Sequence, residues 1–284
     1  MPFLQMESGR LYYQVEGVGD PIIFVNDCGL TQTYWYPSVG FLKRRFKCVT
    51  FDARGFGGSQ PYDHDAGFDI ETQAEDLHRV IGGLGLGEVH LVAHGFGSLV
   101  AVYCLRSHPQ DVRSLTLVNL AIAPRIPELA DLHARLGQTL MICRPLLSLP
   151  LIGKWIMRRY SVERIPAQFR RWVAEDFRRA DPRHFWEMLA SAIDEQALST
   201  FWETLTGTTT PLLLVASAKD RLSPLPVMRQ AYNQVVAATL ATMNNVAHFP
   251  MLESTRKFTE ILETFFRKPL PPPLKPRAPG DSSG

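Results

Sequence analysis

Apolar residues along this chain follow two rhythms. Short, nearly continuous apolar runs at 21–25, 46–51, 89–93, 112–119, 211–217 and 239–243 read as strands buried on both faces. A segment at 9–16, with Leu11, Tyr13 and Val15 on one side, reads as a strand with one wet face. Between these runs the spacing lengthens to that of a helix: Ile70, Ala74, Leu77, Ile81 and Leu84 share one face, and glycines at 82, 83, 85 and 87 end the pattern. Further helices are expected through Trp35 and Leu42, from Leu99 to Leu105, over 226–235 and over 255–266.

Strands alternating with helices in this way predict an α/β fold, a mostly parallel central sheet flanked by helices. The alternation fails once. Between the runs at 112–119 and 211–217 lies a long insert with helical spacing and no strand pattern. Connections of that length tend to be functional, and residues 124–207 are read as a helical cap over the C-terminal ends of the strands. The domain plan is therefore a core of 1–123 with 208–267, the cap, and a proline-rich tail, 268–284, expected to be disordered and biased to polyproline II.

Composition narrows the partners. Among 284 residues 45% are hydrophobic and 20% charged, and the net charge is only +2, which argues against nucleic acid. The four cysteines, Cys28, Cys48, Cys104 and Cys143, are scattered without metal-ligand spacing, so reduced thiols and no metal are expected. No signal peptide or membrane-length apolar stretch is evident, and a cytoplasmic setting is the expectation. In the cap, Lys154, Arg158, Arg159, Arg164, Arg170, Arg171, Arg178, Arg179 and Arg183 interleave with Trp155, Ile156, Met157, Phe169, Trp172 and Phe177. An ordinary solvated face, balanced by Glu163, Glu175, Asp176 and Asp181, is preferred to a membrane-binding surface. The apolar members, with Met141, Leu146, Leu147 and Leu149, would roof a hydrophobic pocket for an apolar or amphipathic small molecule.

The chemistry centres on Ala93-His94-Gly95-Phe96-Gly97, where a buried strand turns sharply into a helix. Such a turn lifts one side chain above the sheet, and in Gly-x-Ser-x-Gly sequences that side chain is a serine. Here glycine stands in its place. Four segments resemble the α/β-hydrolase superfamily: Asp52-Ala53-Arg54-Gly55-Phe56-Gly57-Gly58-Ser59, the turn at 93–97, Pro211-Leu212-Leu213-Leu214-Val215 with Asp220 beyond it, and Ala247-His248-Phe249-Pro250-Met251-Leu252-Glu253. The resemblance, which spans 9–266, implies the order nucleophile, acid, histidine on Gly95, Asp220 and His248. It also implies oxyanion donors at the backbone of Cys28 and Phe96, with Asn26, Asp27 and His94 lining the pocket.

Asn26-Asp27 departs from the His-Gly of many such proteins, and a carboxylate there opposes developing negative charge. Ser98 and the Cys28 thiol are weak substitutes for the missing hydroxyl. Whether the chain is an enzyme stays open at this point. The favoured expectation is a degenerate triad in a non-hydrolytic protein, a pseudoenzyme or small-molecule binder without cofactor. The alternatives are an enzyme using the His248–Asp220 dyad as general base, in lyase, isomerase or cofactor-free oxygenase chemistry, and a serine-type ester, lactone or C–C hydrolase that has lost its serine.

Overall fold

The computed structural model describes residues 2–60, 67–120 and 165–267, with a few isolated positions between 138 and 162. Most of the first half of the expected cap, including Trp155–Arg159, and the tail from 268 onward lie outside the described residues.

Eight strands form one sheet in the order β1-β2-β4-β3-β5-β6-β7-β8. They are β1 (Phe3–Met6), β2 (Gly9–Glu16), β3 (Asp20–Val25), β4 (Phe46–Phe51), β5 (Val89–His94), β6 (Val112–Val118), β7 (Leu212–Ser217) and β8 (Ala238–Met243). β1 and β2 run antiparallel at one edge and the other six are parallel. The edge hairpin partner β1 was not foreseen, because its four residues are too few to show an alternation. The helices are α1 (Tyr36–Leu42), α2 (Ile70–Gly83), α3 (Gly97–Ser107), α4 (Ala167–Arg179), α5 (Pro182–Ile193), α6 (Glu195–Gly207), α7 (Leu225–Gln234), the short α8 (Pro250–Glu253) and α9 (Thr255–Phe266).

Period-two alternation divides the core into two layers. Ile23 and Val25 of β3 face the layer under α2 and α3, while Ile22 and Phe24 face the layer under α1 and α9. The inner parallel strands β3 to β7 are buried along most of their length and largely apolar, which is why the strand pattern was easy to read. Helix α3 rests close on β3: a Cβ at Gly97 would meet the Asn26 carbonyl oxygen at 2.5 Å. Only glycine admits that approach, and it brings the start of α3 beside the loop after β3.

The Asp52–Ser59 loop is a brace for that same corner. Asp52 accepts from the backbone N–H of Gln32 and of Gly58, and the Ser59 hydroxyl donates to the Asp52 carbonyl. Arg54 grips Asp76 of α2 through two hydrogen bonds of 2.6 and 2.7 Å, both side chains buried. The motif fixes the ends of β3 and β4 rather than presenting chemistry.

Candidate functional site

β5 ends at His94 and α3 starts at Gly97, so Gly95 takes the turn alone, with φ +53° in the left-handed region that glycine enters without steric cost. No side chain rises from it. The space above it is filled from a different loop. A Cβ built on Gly95 would lie 2.3 Å from Asp27 Cγ and Oδ1 and 2.5 Å from Oδ2, so the Asp27 carboxylate occupies the seat a side chain at 95 would need.

That carboxylate is held on both sides. Oδ1 accepts from the backbone N–H of Cys28 at 2.8 Å and of Phe96 at 2.7 Å, the two groups expected to serve as oxyanion donors. Oδ2 lies 3.1 Å from Nε2 of His248. The Asp27 N–H itself donates to the Tyr34 hydroxyl at 2.9 Å. An internal carboxylate thus occupies both the space above Gly95 and the two backbone N–H donors beside it.

His248 and Asp220 meet as the chain order implied. His248 Nδ1 stands 2.9 Å from Asp220 Oδ2, and both residues are buried. Asp220 sits beyond β7, where its Oδ1 also accepts from the Leu222 N–H. Asn119, just past β6 and at φ +47°, fastens the histidine loop: its amide donates to Ser217 Oγ and to the carbonyls of Ala247 and His248, while its oxygen accepts from the Ser217 N–H. Sequence reading missed Asn119; the signal available was an asparagine directly after a strand, a residue type that tolerates positive φ. Glu253 caps the same loop by accepting from the Ala247 and Phe249 N–H groups.

Asn26 lines the small cavity beside Asp27 and is clamped on both sides. Its amide donates to the Phe51 carbonyl at 2.8 Å and its oxygen accepts from Trp35 Nε1 at 3.0 Å. His94 is buried beneath His248, its ring centroid 4.6 Å away, with Nε2 2.9 Å from the His248 carbonyl. Ser98 is fully buried, and burial together with the Asp27 charge pushes the Cys28 thiol well above its ordinary range.

Charge in this cluster is strongly coupled. Burial alone would push the His248 imidazolium down, but the charges and hydrogen bonds of Asp220 and Asp27 outweigh it and raise its pKa to about 10. Burial likewise opposes Asp27 ionisation, yet the hydrogen bond from His248, the two neighbouring histidines and the Phe96 N–H lower it to about 2. Asp220 is lowered for the same reason, its desolvation overcome by His248. At neutral pH the centre is therefore carboxylate, imidazolium, carboxylate. His94 stays neutral, since burial lowers its pKa to about 4.

Among the described residues a small cavity beside Asp27, bordered by Phe56, Val100 and Met188, has room for about one water. Helix α4 closes on the same loop. Asp176 accepts from both the N–H and the hydroxyl of Thr31, and burial raises its pKa to about 7. This corrects the reading of Asp176 as part of a solvated charge balance: it faces the core, and Glu175 alone pairs with Arg178 and Arg179. The roofing residues Met141, Leu147 and Leu149 lie outside the described residues, and Leu146 is about half exposed.

Three parts of the chain now sit together: a left-handed turn between a central strand and its helix, an imidazole over that turn, and a carboxylate behind the imidazole. On a sheet of this order they define a protein of hydrolase architecture. The chain belongs to the alpha/beta hydrolase family, which it matches over residues 22–261. It is 31% identical to a putative carbamate hydrolase RutD of Azorhizobium caulinodans, over 42% of this chain and 44% of that protein, so less than half the relative is spanned. A putative carbamate hydrolase RutD of Stutzerimonas stutzeri is 24% identical over 89% of this chain and 95% of its own length. Among solved structures, an esterase of Exiguobacterium antarcticum superposes with TM-score 0.78 at 20% identity, covering 93% of this chain and 98% of the esterase. The described residues include no helix long and apolar enough to cross a membrane.

Proposed function

We propose that this chain is an alpha/beta hydrolase family member that does not carry out acyl transfer, a pseudoenzyme toward esters, amides and carbamates. One observation carries the reading: the Asp27 carboxylate rests on the Cys28 and Phe96 N–H groups, above a residue without a side chain. A substrate carbonyl needs those two donors as its oxygen becomes negative. With a fixed anion already on them, the incoming charge meets repulsion in place of stabilisation, and position 95 offers no oxygen to form an acyl intermediate. The carbamate hydrolysis named for the two relatives is for this reason not extended to this chain.

The dyad reading is the second, favoured by the 2.9 Å contact between His248 and Asp220. With its pKa raised to about 10, His248 is protonated at neutral pH and acts as a proton donor, not as the general base that lyase or oxygenase chemistry would require.

The test is incubation of the wild-type protein with p-nitrophenyl acetate and a fluorophosphonate probe. No covalent label and no turnover beyond that of a His248→Gln variant are expected. A stoichiometric adduct on any side chain would overturn the proposal.

A further inference from the structure

Two histidines and an aspartate converge at the turn in a way the absent serine does not require. Oδ of Asp27, a ring nitrogen of His94 and a ring nitrogen of His248 lie within 4.8 Å of one another. These residues are separated by 67 and 154 positions in sequence, beyond the reach of any spacing motif.

We propose that Asp27, His94 and His248 form a binding site for a divalent transition cation of the zinc type. The tautomers favour it. His94 Nε2 faces the His248 carbonyl, which only accepts, so the proton sits on Nε2 and Nδ1 carries the free electron pair. That Nδ1 is buried and has no hydrogen-bond partner among the described residues. A fully buried imidazole with one idle acceptor nitrogen beside a carboxylate is a costly arrangement unless something occupies it. His248 is anchored in the matching way, its Nδ1 held by Asp220, which leaves Nε2 toward the centre. Histidine ligands of metals are oriented by such an acceptor, a carboxylate or a backbone carbonyl, on the far nitrogen. Here one of each is present.

The distances are compatible. With ligand bonds of roughly 2.0–2.1 Å, the 3.1 Å between Asp27 Oδ2 and His248 Nε2 gives an angle at the cation of about 100°, within the tetrahedral range. Tetrahedral coordination places two ligand nitrogens about 3.3 Å apart at bonds of roughly 2.0–2.1 Å. The 4.8 Å bound therefore asks at most about 1.5 Å of side-chain adjustment. Two nitrogens and one carboxylate oxygen suit zinc, cobalt or nickel better than calcium or magnesium. Binding replaces the proton on His248 Nε2, so each cation bound releases one proton to solvent. The site lies at the same corner as the proposal above but does not depend on how the protein treats esters.

His78, His108 and Asp111 form a second cluster of this composition nearer the surface, so the experiment is done on an untagged His78→Ala/His108→Ala protein. Equilibrium dialysis against Co²⁺ should retain one ion per chain, with the visible absorption of a low-symmetry cobalt centre. Asp27→Asn, close in shape, should weaken binding at least about 100-fold, and His94→Gln should abolish the visible band while thermal melting of the metal-free protein shows both variants folded. No retained cobalt in the His78→Ala/His108→Ala background, or binding that Asp27→Asn leaves unchanged, would overturn the site. Neither result bears on the absence of an acyl adduct in the wild-type protein.

Discussion

Placing serine at position 95 is the obvious way to supply the hydroxyl that the turn lacks, and the geometry says that it fails alone. The new Cβ would sit 2.3 Å from the Asp27 carboxylate, more than 1 Å inside ordinary van der Waals contact, so the carboxylate has to leave. Leaving forfeits two hydrogen bonds from the Cys28 and Phe96 N–H groups, each worth about 1.5–3 kcal/mol when the acceptor is charged. A non-glycine residue at the left-handed φ costs a further 1–2 kcal/mol or so. Together this is about 4–8 kcal/mol, a large part of the stability of an ordinary domain. Gly95→Ser should therefore be poorly soluble or melt far below the wild type, with no esterase activity.

The double variant Asp27→Gly/Gly95→Ser removes the obstruction, vacates both N–H donors and leaves His248 facing a hydroxyl. A pre-steady-state burst of p-nitrophenol approaching one equivalent per chain is expected from p-nitrophenyl acetate, with turnover at least about 100-fold above wild type, the scale of a single oxyanion donor. Equal bursts in the single and double variants would refute the steric argument.

Three further expectations follow from the charge pattern and the loop clamp. His248, raised to about 10, adds stability that is complete below about pH 6.5 and lost as pH rises through 10, while Asp27, lowered to about 2, adds stability lost only as pH falls through 2. Urea unfolding of wild type and His248→Gln should show their difference shrinking from pH 6 to pH 10, and a growing difference would contradict the assignment. Asp176 runs the other way: raised by burial to about 7, it costs the fold stability progressively as pH climbs from about 4 to 7. Asp176→Asn keeps an acceptor for Thr31 without the charge, so it should gain on wild type across that interval and hold a constant lead above it, read by melting temperature. Asn119→Ala removes the amide that ties Ser217, Ala247 and His248 together, and puts alanine, which tolerates positive φ less well than asparagine, at φ +47°. A loss of about 2–4 kcal/mol is expected in denaturant titration, and a near-neutral result would mean the loop is held elsewhere.

How much of this was legible beforehand follows from which interactions are local. The inner parallel strands announced themselves because burial on both faces makes them largely apolar, whereas β1, short and half-exposed, carried no such mark. Gly95, Asp220 and His248 were readable as a set because each sits in a short motif of its own. The position of the Asp27 carboxylate was not, for it depends on the fit between the loop after β3 and the turn after β5, which no sequence window contains. That the carboxylate would itself settle on the two N–H donors needed coordinates. Asp176 was misjudged for a related reason, since its neighbours on α4 are solvated and only the packing of α4 against Thr31 turns it inward.

The mutual exclusion of a side chain at 95 and a carboxylate at 27 also constrains history. If the chain descends from an ancestor bearing serine at the turn, glycine had to arrive there first, because aspartate could not have taken its present position before the space opened. Once aspartate settled in, the reverse substitution at 95 became damaging by itself. The pair behaves as a ratchet: return to the ancestral chemistry requires two coordinated changes, the first of which must be made at the loop and not at the turn.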